Sequence, residues 1–547
     1  MRRKTQTRIR MMAMGLIPRR ETFASFLRRG CAVAICGLAA AGAAQAQPTL
    51  TIAAMTSPSA LDPHFHSTNN NNMALFQIFE PLIREANDGS LSPALAESWK
   101  PVGDTMWEIK LRSGARFHDG TPFEAEDIAF TLNRLANVPN SPGPFTPYAR
   151  SIREVEIVDP TTVRVHTHQP NPYLDYDLTR VMILSRKIHA EATTAQFNNG
   201  KLAIGTGPYR YVGFTLNERL SITANPEYWG EKPEWARVET RYVSNAGART
   251  AALLSGEVDL IDGVPVHDVT RLQGEPNVRI FGTDSYGTAY LFPDAGRDQV
   301  PYITDKQGKP LPANPLRDRR VREALSLSVN RAGIVERLLV GQGTPADQFA
   351  PPAVADRAPG MPPLAYDIAA ARKLLAEAGY PNGFRMTIHG PNGFFASDGE
   401  VLQALAQGFN RIGVDTQVEI LPPANFFTRA TNRDFALFMT TYTSNLASNT
   451  LRQVAATRDP ATGSGPFNRQ HYSNPALDAP LSEALRTMDP GRRQELTTQA
   501  MQQLVQDKGI IPVFYLRVNW AGRSDRLTYE PSPNWYTQAQ FARPVAR

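Results

Sequence analysis

The chain has 547 residues, with 58 Lys and Arg against 52 Asp and Glu, and two cysteines. Nine of the basic residues and one acidic residue precede Gln47, so the remaining body carries 49 basic and 51 acidic residues, a formal charge of −2. That balance excludes nucleic-acid binding through bulk charge. Because Cys31 and Cys36 both lie before Gln47, disulfides and thiol chemistry are excluded from the body as well.

Residues 1–46 read as an export signal. Arg2, Arg3, Lys4, Arg8, Arg10, Arg19, Arg20, Arg28 and Arg29 precede a mildly apolar run from Cys31 to Ala44. The run ends in Ala44-Gln45-Ala46, the small-x-small pattern that a signal peptidase accepts. It is too short and too rich in Ala and Gly to span a ~30 Å hydrocarbon core. Cleavage is expected after Ala46, releasing a 501-residue chain that starts at Gln47 into the periplasm. Cys31 opens the apolar run, whereas a lipidated cysteine closes one. Arg19-Arg20-Glu21-Thr22-Phe23 fits the twin-arginine pattern imperfectly, which leaves general and twin-arginine export both open.

The body reads as mixed α and β, long enough for two or three domains, and no apolar stretch in it approaches 18 residues. A polar run, His64 to Asn72, reads as an exposed loop. Glu124, Glu126 and Asp127 place carboxylates at the start of a helix through Ile128 and Leu132, where they complement its dipole. Thr162-Val163-Arg164-Val165-His166 alternates with period two and reads as a strand. Val321, Leu325 and Val329 form one helical face. Asp367 is expected to cap a helix that stops at Gly379. Leu402, Leu405, Phe409 and Ile412 line a helix ended by Gly413. Phe435 to Met439 reads as a strand, and Leu496, Ala500 and Leu504 line a last helix before Gly509.

No catalytic constellation emerges. G-x-S-x-G, H-E-x-x-H and G-x-x-x-x-G-K-[ST] are all missing from the sequence. His64-x-His66 and His166-x-His168 place imidazoles two residues apart, but the further ligands a metal needs are not apparent, and no metal or other cofactor is expected. His166 and His168 read as an exposed strand face, and Glu126-Asp127 as dipole partners rather than a general acid and base. Trp99, Trp107 and Phe117 read as core.

Several segments carry a family pattern. Leu61-Asp62-Pro63 and Ile78-Phe79-Glu80-Pro81-Leu82 stand first. Leu95-Ala96-Glu97-Ser98-Trp99 and the stretch from Lys110-Leu111-Arg112-Ser113-Gly114 through Phe117-His118-Asp119-Gly120-Thr121-Pro122-Phe123 are the most specific. Gly205-Thr206-Gly207-Pro208-Tyr209, Asn225-Pro226-Glu227-Tyr228-Trp229, Ser255-Gly256-Glu257-Val258-Asp259, Arg320-Val321-Arg322-Glu323-Ala324-Leu325 and Ala376-Glu377-Ala378-Gly379-Tyr380-Pro381 follow in order. Together they resemble family 5 of the bacterial extracytoplasmic solute-binding proteins, the dipeptide, oligopeptide and nickel receptors of ATP-binding-cassette importers.

The resemblance implies an α/β, two-lobed periplasmic-binding-protein fold of the large type II form, with an inserted third subdomain and a hinged ligand cleft. Lobe one would comprise residues 47–81, 205–287 and 512–547, with 82–204 inserted in it, and lobe two residues 288–511. The crossings would fall near Tyr286–Phe292 and Ile510–Leu516. It further implies a monomeric receptor, without enzymatic activity, whose partners are a small-molecule or peptide ligand and a membrane permease.

In peptide-binding relatives an aspartate after a lobe-two strand pairs with the peptide's ammonium. The matching segment here, Thr440 to Asn449, contains no carboxylate and no tryptophan. A neutral or hydroxyl-rich ligand, or a peptide held by its backbone, fits its Tyr, Thr, Ser and Asn side chains, with Asp398 a substitute acid from elsewhere. The ligand-contact candidates are His64, Asn69, Asn70, Tyr286, Phe394, Tyr442, Ser444 and Asn445.

Overall fold

The structure, a computed structural model, describes residues 49–142 and 145–545; the expected leader, its cleavage site and both cysteines lie outside the described residues. Among the described residues a twelve-stranded sheet runs through the molecule. Its order is Ile303–Thr304, Arg385–Pro391, Leu437–Thr443, Val278–Pro293, Ile511–Arg523, Leu260–Ile261, Thr49–Ala54, Arg237–Tyr242, Arg219–Ala224 and Tyr209–Thr215. Asp415–Leu421 adds to Arg385–Pro391, and Gly343–Pro345 to Ile511–Arg523.

The two central strands are the longest, with 16 and 13 residues, and pair antiparallel along their length. Each also serves a different side of the sheet. Gly287–Pro293 pairs with Leu437–Thr443, while Ala521 and Gly522 pair with Ile261 and Leu260. Both read as near-continuous apolar runs toward their shared end because they are covered on both faces. On one face Leu291 and Ile511 pack with Val321, Leu325, Leu402, Phe409, Ile388 and Met439. On the other, Tyr290 and Phe292 pack with Phe438, Phe426, Ala500 and Leu504. At the far end of the sheet Leu50, Ile52, Trp235 and Trp520 form a separate core.

A second, four-stranded sheet stands apart, in the order Ala96–Pro101, Met106–Leu111, Thr162–Thr167, Ile152–Asp159. With the helix Ala125–Arg134 it encloses Trp107, Ile109, Phe117, Ile128 and Val163, and Trp99 packs at its edge. Trp107 and Phe117, expected in the core, are core; Trp99, expected there too, is half-buried. Asp127 closes a capping box: its carboxylate accepts the backbone N–H groups of Glu124 at 2.9 Å and Arg186 at 2.7 Å.

Asp367 caps Ile368–Glu377 by accepting from the Ala370 N–H at 2.9 Å, as expected. Three boundaries differ. The helix Arg319–Leu327 ends before Val329, which is nonetheless 1% exposed. The strand expected at Phe435–Met439 begins at Leu437 and continues to Thr443, because Gly287–Pro293 pairs with it that far. At the end of Pro490–Asp507 it is Lys508 that turns left-handed, at φ 54°. Gly509 answers a packing demand instead: a Cβ there would lie 2.3 Å from the Tyr472 ring.

Leu61-Asp62-Pro63 has a structural task. The Asp62 carboxylate is fully buried and accepts both terminal nitrogens of Arg134, at 2.9 and 2.7 Å, the Thr194 hydroxyl at 2.8 Å and the His64 N–H at 3.1 Å. Burial pushes its pKa up, but these donors and the Arg134 charge together hold it below the ordinary carboxylate value. Asp62→Ala strands the nearly buried Arg134 guanidinium, with its side chain 11% exposed. Urea unfolding is expected to register a loss of about 3–5 kcal/mol for this variant.

Candidate ligand cleft

A cavity of about 1550 Å³ opens beside the paired central strands. Its position follows from an irregularity in their pairing. Asp284 pairs with Arg517 and the next pair is Thr288 with Tyr515, so the first strand bulges at Ser285-Tyr286-Gly287. Gly287 is required there: a Cβ would lie 2.5 Å from Leu516 Cδ1 and 3.2 Å from the Ser285 and Thr443 hydroxyl oxygens. The bulge places Tyr286 in the cavity lining. Its hydroxyl is buried without a hydrogen-bond partner among the described residues. Burial first, and then the charge of Glu85, push its pKa up.

One wall comes from the start of the helix Asn69–Leu75, the residues around Tyr148 and Arg150, and the segment His168 to Arg180. The other comes from the end of Leu437–Thr443, the Ser444–Leu446 turn and the helix Ala447–Thr450, which continues into a π-turn at Leu451–Ala455. π-Turns of this kind are frequent at functional positions because they redirect a side chain out of the helical register. Here the turn carries Arg452.

Asp356 joins the two walls. It is held at φ 52° and accepts the N–H of Ala447 at 2.6 Å and of Ser448 at 3.2 Å, fixing the start of that short helix. Its other partner is the Tyr173 hydroxyl from the opposite wall, at 2.9 Å.

The charges in the cleft differ in how far they are satisfied. Arg180 donates to Glu85 at 3.0 Å, to the Tyr536 hydroxyl at 2.7 Å and to Asn534 at 3.1 Å. Asp459 and Asp478 accept from backbone and hydroxyl donors close by, at Ala461 and Thr462 and at Thr457. Among the described residues Asp177 accepts only the Asn171 amide, at 3.1 Å, and burial raises it to about 7 despite the opposing pull of Arg452. Arg452 is half-buried, and among the described residues no carboxylate oxygen lies within 4.0 Å of its guanidinium.

The structure gathers Asn69, Tyr286, Tyr442, Ser444 and Asn445 around this cavity. Tyr442 stands with its ring 5.9 Å from that of Phe467, and Ser444 is spent on the local turn, donating to the Leu446 carbonyl and accepting from Asn449. His64, Asn70 and Phe394 lie elsewhere. His64 is fully buried; its Nε2 donates to the Met182 carbonyl at 2.7 Å, and burial lowers its pKa to about 4, so it is neutral. The polar run after it is not an exposed loop: its end is the start of the helix Asn69–Leu75, in which Asn71 and Asn72 are buried. Asn70 donates to the Ser57 carbonyl at 2.6 Å. Phe394 stacks edge-on against Phe427 at 5.0 Å, outside the cavity lining. Asp398 likewise serves its own helix start, accepting from Phe394 N–H at 2.8 Å.

Sequence reading passes over His168, Asp177, Arg180 and Arg452, all of which line the cleft. The exposed strand face expected at His166 and His168 is met by neither in full: His166 is on the strand but half-buried against Glu156 at 2.9 Å, and His168 is exposed just past the strand end, at the cleft. Signals for the others were present: carboxylates amid the aromatic Tyr173–Tyr176 segment, and a lone arginine within the apolar Leu451–Val454 stretch.

The raised Asp177 has a consequence for stability. The folded state holds this proton more tightly than the unfolded chain, whose aspartates titrate near 3.8, so its contribution is favourable at low pH and is lost as pH rises towards about 7. Asp177→Asn removes that titration. Its melting temperature relative to the unsubstituted protein is expected to climb between about pH 4 and pH 7 and level off above; a pH-independent difference in thermal unfolding would contradict this.

Comparison with known proteins places this fold. The family model "Bacterial extracellular solute-binding proteins, family 5 Middle" matches residues 90–469. The glutathione-binding protein GsiB of Escherichia coli K12 is 26% identical over 488 residues, covering 86% of this chain and 90% of that protein. Among solved structures, the substrate-binding protein CtaP of Listeria monocytogenes superposes with a TM-score of 0.78 at 22% identity, covering 91% of this chain and 99% of CtaP. The periplasmic binding protein DppA of Helicobacter pylori, in complex with the peptide STSA, gives 0.70 at 20% identity, covering 90% and 97%. The two-lobed fold expected from the sequence is the fold observed, and the chain belongs to the bacterial extracellular solute-binding proteins of family 5.

Proposed function

We propose that this chain is an exported receptor that encloses a peptide-sized polar solute between two lobes and hands it, chemically unaltered, to the membrane permease of an ATP-binding-cassette importer. The cleft carries this reading. It lies between separate hydrophobic cores, has a polar lining, and adjoins a bulge in the two strands that connect its sides. At about 1550 Å³ it exceeds the ~300–1,000 Å³ usual for small-molecule pockets. That leaves room for a tripeptide and its water. The similarity to a glutathione-binding protein supports a cargo of that size and polarity.

In this reading the lobes divide at the bulge, with 47–81, 205–287 and 512–547 in lobe one, 82–204 inserted in it, and 288–511 in lobe two. Asn69, Tyr286, Tyr442 and Asn445 would face the solute. Residues 1–46 would direct the chain to the periplasm and be removed after Ala46, and the receptor would act as a monomer. Closure about the bulge would bury the solute and create the shape a permease distinguishes from the empty receptor.

Native mass spectrometry and thermal-shift measurements with glutathione, di- and tripeptides, sugars and metal chelates test the cargo. A specific solute at 100 times its dissociation constant adds about 2.7 kcal/mol to stability. Chemical conversion of a bound solute by the isolated receptor would sink the reading. Closure has its own test at Tyr173, which meets Asp356 across the cleft. Tyr173→Phe deletes a hydrogen bond to a carboxylate, worth about 1.5–3 kcal/mol. Solute affinity measured by calorimetry is expected to fall roughly tenfold or more; unchanged affinity would mean that this contact takes no part in closure.

A further inference from the structure

Among the charged side chains that line the cleft, two arginines have a specific arrangement. Arg150 comes from one wall and Arg452 from the other, and they converge at Gly463. A Cβ built on Gly463 would lie 3.4 Å from Arg150 Nη1 and 3.7 Å from Arg452 Nη2. Among the described residues, no carboxylate oxygen lies within 4.0 Å of either guanidinium. Two cations brought together in this way repel, and the repulsion is relieved by an anion placed between them. A guanidinium fork suits a carboxylate, which it can bind through two parallel N–H donors.

Asp177 is the complement. It lines the same cavity, has one amide donor, and stands beyond ion-pair distance from Arg452 while still feeling its charge. The other cleft carboxylates, Asp459 and Asp478, are occupied by donors of their own segments. Arg180 is already ion-paired with Glu85 and donates to Tyr536 and Asn534. Arg458 and Arg486 line the cavity too, with no carboxylate within 4.0 Å among the described residues; Arg150 and Arg452 are the pair that converges at Gly463, which places the anion site there and the cation site at Asp177.

We propose that Arg150 and Arg452 receive a carboxylate of the solute while Asp177 receives its ammonium, so that the receptor selects solutes carrying both. This rests on the receptor reading above and names the chemical class of its cargo. It also places the ammonium partner on the wall opposite the Thr440–Asn449 segment, where no carboxylate is available. The anion site draws on both walls, so a bound carboxylate neutralises a repulsion that otherwise opposes closure. The solute's own charge thereby favours the closed form.

Calorimetry with glutathione, trialanine, N-acetyl-trialanine and trialanine amide tests the assignment. Blocking either terminus is expected to weaken binding on the order of ten- to a hundredfold relative to free trialanine. Asp177→Asn should abolish the discrimination against the acetylated peptide and keep that against the amide. Arg452→Gln should do the reverse, with Arg452→Lys recovering part of the carboxylate preference. Circular dichroism and the melting temperature without solute establish that each variant is folded. If blocked and free peptides bind equally, or if discrimination survives both substitutions, the charge assignment is wrong and the receptor reading stands. If no free peptide binds while a sugar or a chelate does, the peptide-sized cargo falls and this assignment falls with it.

Discussion

The antiparallel pairing of Val278–Pro293 with Ile511–Arg523 is the constraint on which both sides of the molecule depend. Every other strand of the large sheet connects to this pair, directly or through the strands between. Regular pairing along the whole interface would make the sheet a single stiff slab. The interruption at Ser285-Tyr286-Gly287 breaks the ladder beside the cavity, and a second register shift follows between Ala289 and Tyr290. A bulge bends and twists its strand without releasing it, so the same three residues interrupt the ladder and aim an aromatic side chain into the cleft.

Electrostatic satisfaction separates scaffold from cleft. Asp62 with Arg134, and Glu80 with Arg84, Tyr228 and Trp229, are buried charges surrounded by donors. Such groups hold separate segments in register, and removing one partner leaves a charge that water cannot reach. Asp177, Arg150 and Arg452 have far fewer partners. A receptor has reason to keep such groups, because a charge already spent on the protein contributes little to holding a solute.

Local features were the legible part of this fold. Asp367 and the Glu124/Asp127 box act on backbone groups three residues away, so the sequence alone displays their whole interaction. The alternation through Thr162–His166 and the aromatic content around Trp107 and Phe117 likewise predict their burial. The cleft was legible where a residue sits at a strand end or a crossing, as with Tyr286, Tyr442 and Asn445. It failed where polarity stood in for exposure. His64 and Asn70 are polar because buried carbonyls need donors, and Phe394 is exposed beside another ring. Arg150 and Arg452 meet only in three dimensions, and nothing local in either segment announces the other.

The sequence distance between the two central strands has a temporal meaning. A chain emerging from its N-terminus presents Val278–Pro293 more than two hundred residues before Ile511–Arg523 appears. Until then Leu260–Ile261 lacks one neighbour, and Tyr290 and Phe292 lack the Ile510 end of their core. Neither side of the sheet can be completed early. The last strand to arrive is the keystone of both halves at once.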